Sequence, residues 1–220
     1  MQVFDPNQKY AVLERRLPHW SQAGTITFVT WRTWDSMPEE IIREWRQERD
    51  AWLVRHAIDP AADDWQERLL RIDRILMLEY QRLLSDRWNE HLDACHGACV
   101  LRKPELAKIV ADSFMYFDGQ RYEISDFVVM PNHVHALVVF PDEAGLLTQC
   151  ESWKHFTASK INRILGRNGR FWQQDGFDHL VRSQEQFDFL RMYIAENPMK
   201  AKLGDVDFMY YSKSLSSRGA

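Results

Sequence analysis

Two histidines one residue apart at the head of an apolar run constrain this chain more than any other feature. In Met130-Pro131-Asn132-His133-Val134-His135, followed by Ala136-Leu137-Val138-Val139-Phe140, Pro131-Asn132 reads as a turn and the apolar run as a strand. Side chains alternate along a strand with period two, so His133 and His135 share a face while Val134 turns into the core. Two imidazoles on one face are half of a metal site, and a catalytic ion also needs a third protein ligand and open positions. Taken alone, such a pair is more often hydrogen-bonded locally than a ligand set. The remaining parts must come from elsewhere in the chain.

Strands and helices alternate around this segment. Gly24 to Arg32 interleaves Thr with apolar and aromatic residues and reads as a first strand. Ser36 as N-cap and Pro38 in the first turn predict a helix ending near Ile58-Asp59-Pro60, and a second amphipathic helix is expected from about Asp63 to Trp88. Pro104 to Phe117 reads as a helix, Tyr122 to Met130 as a strand, Leu146 to Leu165 as a helix closed by Gly166, and His179 to Val181 as a short strand. The last helix runs from Gln184 to about Glu196, because Asn197-Pro198 disfavours continuation. Gly-rich phosphate loops of the GxGxxG or Walker type are missing, which argues against a doubly wound nucleotide-binding sheet. An α+β sandwich with helices on an antiparallel sheet fits these elements. We expect one domain over residues 1–204, with 36–94 as a helical insertion after the first strand and 205–220 as a C-terminal tail.

Across 220 residues, a 45% hydrophobic content supports one sizeable core. No apolar run approaches the ~18–20 residues of a membrane span and the N-terminus lacks a signal layout, so a cytoplasmic protein with no membrane partner is expected. Cys95, Cys99 and Cys150 cannot all pair, which fits a reducing compartment. His91, Cys95, His96 and Cys99 lie close together but match no zinc-finger spacing, and the thiols read as buried or incidental.

The net charge of −4 speaks against a nucleic-acid partner until its distribution is considered. Residues 36–93 carry 14 acidic and 9 basic side chains, which leaves the remainder close to neutral. Within that remainder, residues 152–174 hold Lys154, Lys160, Arg163, Arg167 and Arg170 without a single carboxylate. Charge runs are commonly a solvated helix face, but this one is suited to phosphate contact. Trp172 is a candidate to stack on a base, with at least one of Phe171 and Trp172 expected in the core.

A second chemical element is Met192-Tyr193-Ile194-Ala195-Glu196-Asn197-Pro198. On a helix Tyr193 and Asn197 are one turn apart on the same face, so a phenol neighbours a carboxamide able to ligate a metal. Asn197 has a competing reading as a helix C-cap, with Glu196 as the harder oxygen ligand.

These two elements, with Trp153-Lys154-His155-Phe156-Thr157, Phe171-Trp172-Gln173 and Phe177-Asp178-His179-Leu180-Val181-Arg182 between them, resemble the single-tyrosine HUH transposases, the IS200-like transposases and their REP-associated relatives. The resemblance covers roughly residues 24–33 and 95–204, in the family's order and spacing. It implies a ferredoxin-like (RRM-like) sheet on which His133 and His135 bind a divalent ion, Mg or Mn, with Asn197 in the position of the family's polar helix ligand. It implies that Tyr193 is the nucleophile, forming a 5′-phosphotyrosine link on single-stranded DNA and freeing a 3′ hydroxyl without water. The implied DNA is a hairpin or palindromic repeat, and Lys154, Lys160, Arg163, Arg167, Arg170, Trp172 and Arg182 are the candidate residues to contact it. The implied protein is a monomer or homodimer, nucleoid-associated when bound to DNA.

The residue types make chemical sense together. A phenol with its usual pKa of ~10 is a poor nucleophile, so a nearby cation must favour phenolate and stabilise charge on the transferring phosphoryl group. Relatives often carry an aromatic where Gly176 stands, so a loop contact is expected to differ here. Two rival readings are a structured-single-strand-binding protein without catalysis and a metal-dependent phosphoesterase using the histidine pair. A triple-histidine hydrolase is disfavoured because Leu137 takes the next same-face position.

Overall fold

A computed structural model of the chain describes residues 2–14, 18–73, 75–77, 79–80, 83, 91, 94–174 and 176–213. Two units are present: one is built from the chain up to Trp34 and again from Ala98 onward, the other from Asp35–Gly97. The first unit begins with a two-stranded antiparallel ribbon, β1 (Ala11–Glu14) and β2 (Pro18–Ser21), which sequence patterning did not disclose. It continues with β3 (Ile26–Arg32), then α3 (Pro104–Met115), β4 (Glu123–Val129), β5 (His133–Val139), α4 (Gly145–Ile164), β6 (Phe177–Leu180), α5 (Gln184–Lys200) and β7 (Met209–Ser212). Helices α1 (Glu39–Arg55) and α2 (Trp65–Leu70) belong to the second unit.

Five strands form one sheet in the order β6-β3-β5-β4-β7, each neighbouring pair antiparallel. The order of the first four, with α3 and α4 as the two crossovers, is the βαββαβ arrangement of ferredoxin-like folds. The fold is therefore α+β, as the alternation of elements predicts. Residues 209–212, which sequence alone leaves in a tail, add a fifth strand beside β4. Four residues with no alternation of apolar and polar character carry too little signal to read as a strand.

The sheet has two covered faces. Val29, Trp31, Phe127, Val129, Val134, Ala136 and Val138 meet α3 and α4 through Leu106, Val110, Phe114, Trp153 and Ile161. Pro104 in the first turn starts α3, and Leu106, Ala107, Val110, Ala111 and Phe114 give it one apolar stripe. Phe28, Val128, Met130 and Leu137 meet α5 through Phe187, Leu190 and Ile194 on the other face. Each large apolar side chain so buried contributes on the order of 1.5–3 kcal/mol.

Ser183 caps α5 by accepting from the Gln186 amide at 3.1 Å. The helix runs four residues past its expected end, with Pro198 inside it. Proline removes only one ladder donor, and the burial of Ile194, Asn197 and Pro198 holds the last turn to the sheet. Asn197 is consequently not a C-cap.

The second unit has its own small core of Trp52, Leu53, Ile58, Leu69 and Tyr80. Its first helix starts after Pro38, not at a Ser36 cap, and has no side-chain cap. The long helix expected from Asp63 to Trp88 is interrupted: α2 ends at Leu70, and Asp73 Oδ1 accepts from the amides of Ile75 and Leu76 at 2.6 and 3.1 Å to start the next helical stretch. A helix-period pattern does not register such a break, because Asp73 caps without disturbing the apolar spacing. The remainder of that expected helix, residues 81–82 and 84–88, lies outside the described residues.

Candidate active site

The turn Pro131-Asn132 aims the histidine strand and is pinned from two sides. Its carbonyls accept from Leu101 N at 3.1 Å and from Thr33 N at 2.7 Å. His133 and His135 leave β5 on the α5 face, both wholly buried, with ring centroids 4.7 Å apart. Both Nδ1 atoms are held: His133 Nδ1 lies 2.8 Å from Asn132 Oδ1, and His135 Nδ1 lies 2.6 Å from Thr30 Oγ1. The Asn132 oxygen can only accept, so it fixes the His133 proton on Nδ1 and leaves the Nε2 lone pair free to donate. Neither Nε2 has a partner of normal hydrogen-bond geometry among the described residues, although the Asn197 side chain is placed to interact with the His133 ring.

Burial lowers the His133 pKa to about 3, with the Asn197 side chain acting in the opposite direction. Burial likewise pushes His135 well below its ordinary value, and the neighbouring His133 adds to the shift. Both rings are neutral at physiological pH and available as electron-pair donors.

Helix α5 brings Tyr193 and Asn197 to this pair. The Tyr193 ring stands 5.2 Å from that of His135 and 6.2 Å from that of Phe28. Asn197 is buried on the same stripe, one turn further on. Glu196, the alternative oxygen donor, is 43% exposed and pairs with Lys200 at 3.4 Å. Among the described residues no cluster of three His, Cys, Asp or Glu side chains forms.

Four neighbours escaped the sequence reading. Thr30 and Asn132 orient the imidazoles, Arg32 stands opposite His133 in the β3–β5 register, and Lys200 Nζ lies 5.2 Å over the Tyr193 ring. Arg32 is nearly buried, and that desolvation lowers its pKa to about 10, which keeps it charged at neutral pH. Asn132 was visible as the residue beside the first histidine. Lys200 was hidden because the helix was ended too early.

The basic residues lie on another part of the same unit. Lys154 Nζ donates to the carbonyls of Gln173 and Gln174 at 3.3 and 3.0 Å, and Lys160 Nζ lies 4.7 Å over Phe156. Arg163 is exposed near the end of α4, Arg167 lies over Phe171 at 5.2 Å, and Arg170 lies over Trp34 at 4.5 Å. Arg182 is exposed just before α5, where its charge helps burial lower the His179 pKa to about 4. Trp172 does not fit the stacking role: it is 4% exposed, and its indole N–H donates to Thr157 Oγ1 at 2.8 Å. Phe171 is buried with it, so both members of that pair are core. A Cβ at Gly176 would stand 3.0 Å from the Thr30 carbonyl oxygen, which explains the absence of a larger residue there.

The fold and site define a class: an antiparallel α+β domain in which two neutral, oriented imidazoles face a helix-borne tyrosine and carboxamide. Residues 103–197 match the family model described as "Transposase IS200 like". The match takes in β5, α4 and α5 up to Asn197. A solved structure described as "Structure of the REP associates tyrosine transposase bound to a REP hairpin" is 13% identical, covers 92% of this chain and 96% of its own, and superposes with a TM-score of 0.41. No curated protein matches the chain. Among the described residues no helix is long and apolar enough to cross a membrane.

Proposed function

We propose that this protein is a metal-dependent DNA strand transferase that cleaves and rejoins single-stranded, hairpin-bearing DNA through Tyr193. The observation that carries the reading is the pair of buried Nε2 atoms, each ring held at Nδ1, with Tyr193 against the same cluster. Burying two acceptors without partners costs on the order of 1–3 kcal/mol each, which suits atoms reserved for a ligand. His133 and His135 through Nε2, with Asn197 as third donor, would hold a divalent ion; imidazole suits several transition metals and a carboxamide oxygen suits Mg or Mn, so the choice of Mg or Mn follows from the phosphate chemistry and not from the donors. When bound, such an ion supplies Lewis-acid polarisation of the scissile phosphate.

The chain's own groups supply the rest. The Tyr193 phenol oxygen attacks phosphorus, forming the tyrosyl ester on the 5′ side while the bond to the 3′ oxygen breaks and that oxygen takes up a proton. The Lys200 ammonium over the Tyr193 ring favours the phenolate. Arg32, charged and desolvated beside His133, strengthens the attraction for a phosphate in this dry site. Thr30 and Asn132 keep the imidazoles from turning away. Because the phosphotyrosine retains the ester bond, a second 3′ hydroxyl can reverse the step without an external energy source.

Complete burial of both imidazoles also favours a second reading, a protein that binds folded single strands without cutting them. The two are separated by incubating the wild type and Tyr193→Phe with a labelled hairpin library and Mn²⁺ and resolving the products on a denaturing gel. Protein-linked DNA in the wild type alone supports the transferase. Retained binding without scission selects the binding protein, and cleavage unaffected by the substitution selects a phosphoesterase.

A further inference from the structure

Helix α5 carries the candidate nucleophile, and the apolar contacts that seat it on the sheet, through Phe187, Leu190 and Ile194, are non-directional. A directional hold lies at its other flank. Arg191 Nε donates to Asp126 Oδ2 on β4 at 2.9 Å, and Arg191 Nη2 donates to Ser212 Oγ on β7 at 2.9 Å. Ser212 Oγ donates in turn to Asp126 Oδ1 at 2.5 Å, which closes a bracket between α5, β4 and β7. The Asp126 side chain is 1% exposed and also accepts from the Ser125 hydroxyl. Ser125 is the extra residue where the β4–β5 register shifts between Ile124 and Asp126, and its carbonyl accepts from Lys213 N at 2.8 Å, just past β7. A bulge, a buried carboxylate and an edge strand thus converge on one guanidinium.

We propose that Asp126, Arg191 and Ser212 are positioning residues for strand transfer: their bracket sets the rotation of α5 about its axis, and so the aim of Tyr193 at the histidine pair. The inference rests on the reading of Tyr193 as the nucleophile and adds to it what fixes that residue's direction. Residues 191 and 193 lie about 200° apart around a helix, so Arg191 grips one flank while Tyr193 leaves the other. Tyr193 meets the cluster through ring contacts, 5.2 Å to His135 and 6.2 Å to Phe28 between centroids. Contacts of that kind tolerate turning. A long side chain ends about 6 Å from the helix axis, so a turn of about 10° carries its tip about 1 Å. A misplacement of that size, caused far from the reacting atoms, can cost about 100-fold in rate. Strand β7 is on this account part of the apparatus of the reaction as well as one edge of the sheet.

Aiming is separable from folding, because exchanging both partners of a buried ion pair for apolar residues is often neutral for stability. The test compares wild type with the double variant Asp126→Leu/Arg191→Met and with Ser212→Ala, using Mn²⁺ and the library hairpin on which the wild type forms most adduct. The double variant is expected to keep its melting temperature within about 5 °C and its hairpin affinity within about threefold, while the adduct rate at saturating hairpin falls about 100-fold. Ser212→Ala, which leaves the ion pair in place, should slow the same step about three- to tenfold. It decides the matter if the double variant does not fold. A second readout needs neither metal nor DNA: with Tyr193 replaced by 3-fluorotyrosine, the fluorine resonance should shift or broaden when the bracket is removed. An unchanged adduct rate in the folded variants, a loss that merely tracks hairpin affinity or melting temperature, or an unmoved fluorine resonance overturns the proposal. Wild-type adduct with unaltered rates in the variants would sink the bracket and leave the transferase. No adduct in the wild type would sink both.

Discussion

The two faces of the central sheet are both dry, yet they treat their polar atoms differently. Against α3 and α4, Trp31, Phe114 and Trp153 pack with ring centroids 5.0–5.9 Å apart. There the Trp153 indole donates to Ser113 O at 3.1 Å, and the Tyr122 hydroxyl donates to Phe114 O at 2.9 Å, with only the Trp31 indole left over on these rings. Against α5, His133 and His135 are 0% exposed and their Nε2 atoms make no hydrogen bond of normal geometry. The first face is organised as a core. The second gives up stability at one place, which is the usual mark of a site kept for chemistry.

The sharpest way to break this contrast is to change one atom. Tyr193→Phe is expected to lower covalent adduct formation by more than about 1,000-fold while leaving the circular dichroism spectrum intact. Residual adduct at wild-type levels would hand the nucleophile's role to another residue.

Next in size is the core face. Phe114→Ala should cost about 3–5 kcal/mol of stability in urea unfolding, since Phe114 is fully buried among Trp31, Phe127 and Trp153. A loss below 1 kcal/mol would show that this face is not the core it is described to be.

A pH effect comes third. Burial, helped by Arg182, holds His179 neutral down to about 4, whereas in the unfolded chain it takes up a proton near 6.5. Its contribution is therefore fully present above about pH 6.5 and is lost as pH falls toward 4, with a ceiling of about 3 kcal/mol. Melting temperatures of wild type and His179→Gln should diverge over that window, the variant falling less steeply. Parallel curves would remove His179 from the account.

The smallest expected effect has the opposite sign. Replacing His135 and its partner together, in Thr30→Val with His135→Leu, removes a buried acceptor without orphaning the threonine hydroxyl. In metal-free protein this pair should raise stability by about 1–2 kcal/mol while abolishing Mn²⁺ binding measured by calorimetry. A destabilised double variant would mean that the imidazole is paired well enough to support the fold.

Much of the site was legible from spacing. His133 and His135 two apart, and Tyr193 and Asn197 four apart, are periodicities that hold wherever a strand or helix forms. Trp172 was misread because an aromatic beside cations looks the same in sequence whether its ring is buried or exposed, and only its packing on Thr157 decides. Ending the last helix at Glu196 followed from the general cost of proline, which tertiary burial of Asn197 and Pro198 outweighs here.

By itself, the sequence determined which side chains share a face of one strand or one helix and where α3, α4, β4 and β5 run. All of that is local and follows from backbone period. Only the tertiary structure decided that Thr30 and Asn132 hold the two imidazoles, that Arg32 stands opposite His133, that Lys200 reaches the tyrosine ring, and that residues 209–212 close one edge of the sheet. Those relations join segments distant in the chain or depend on how far a helix persists, so they are set by packing and desolvation, which no local pattern encodes.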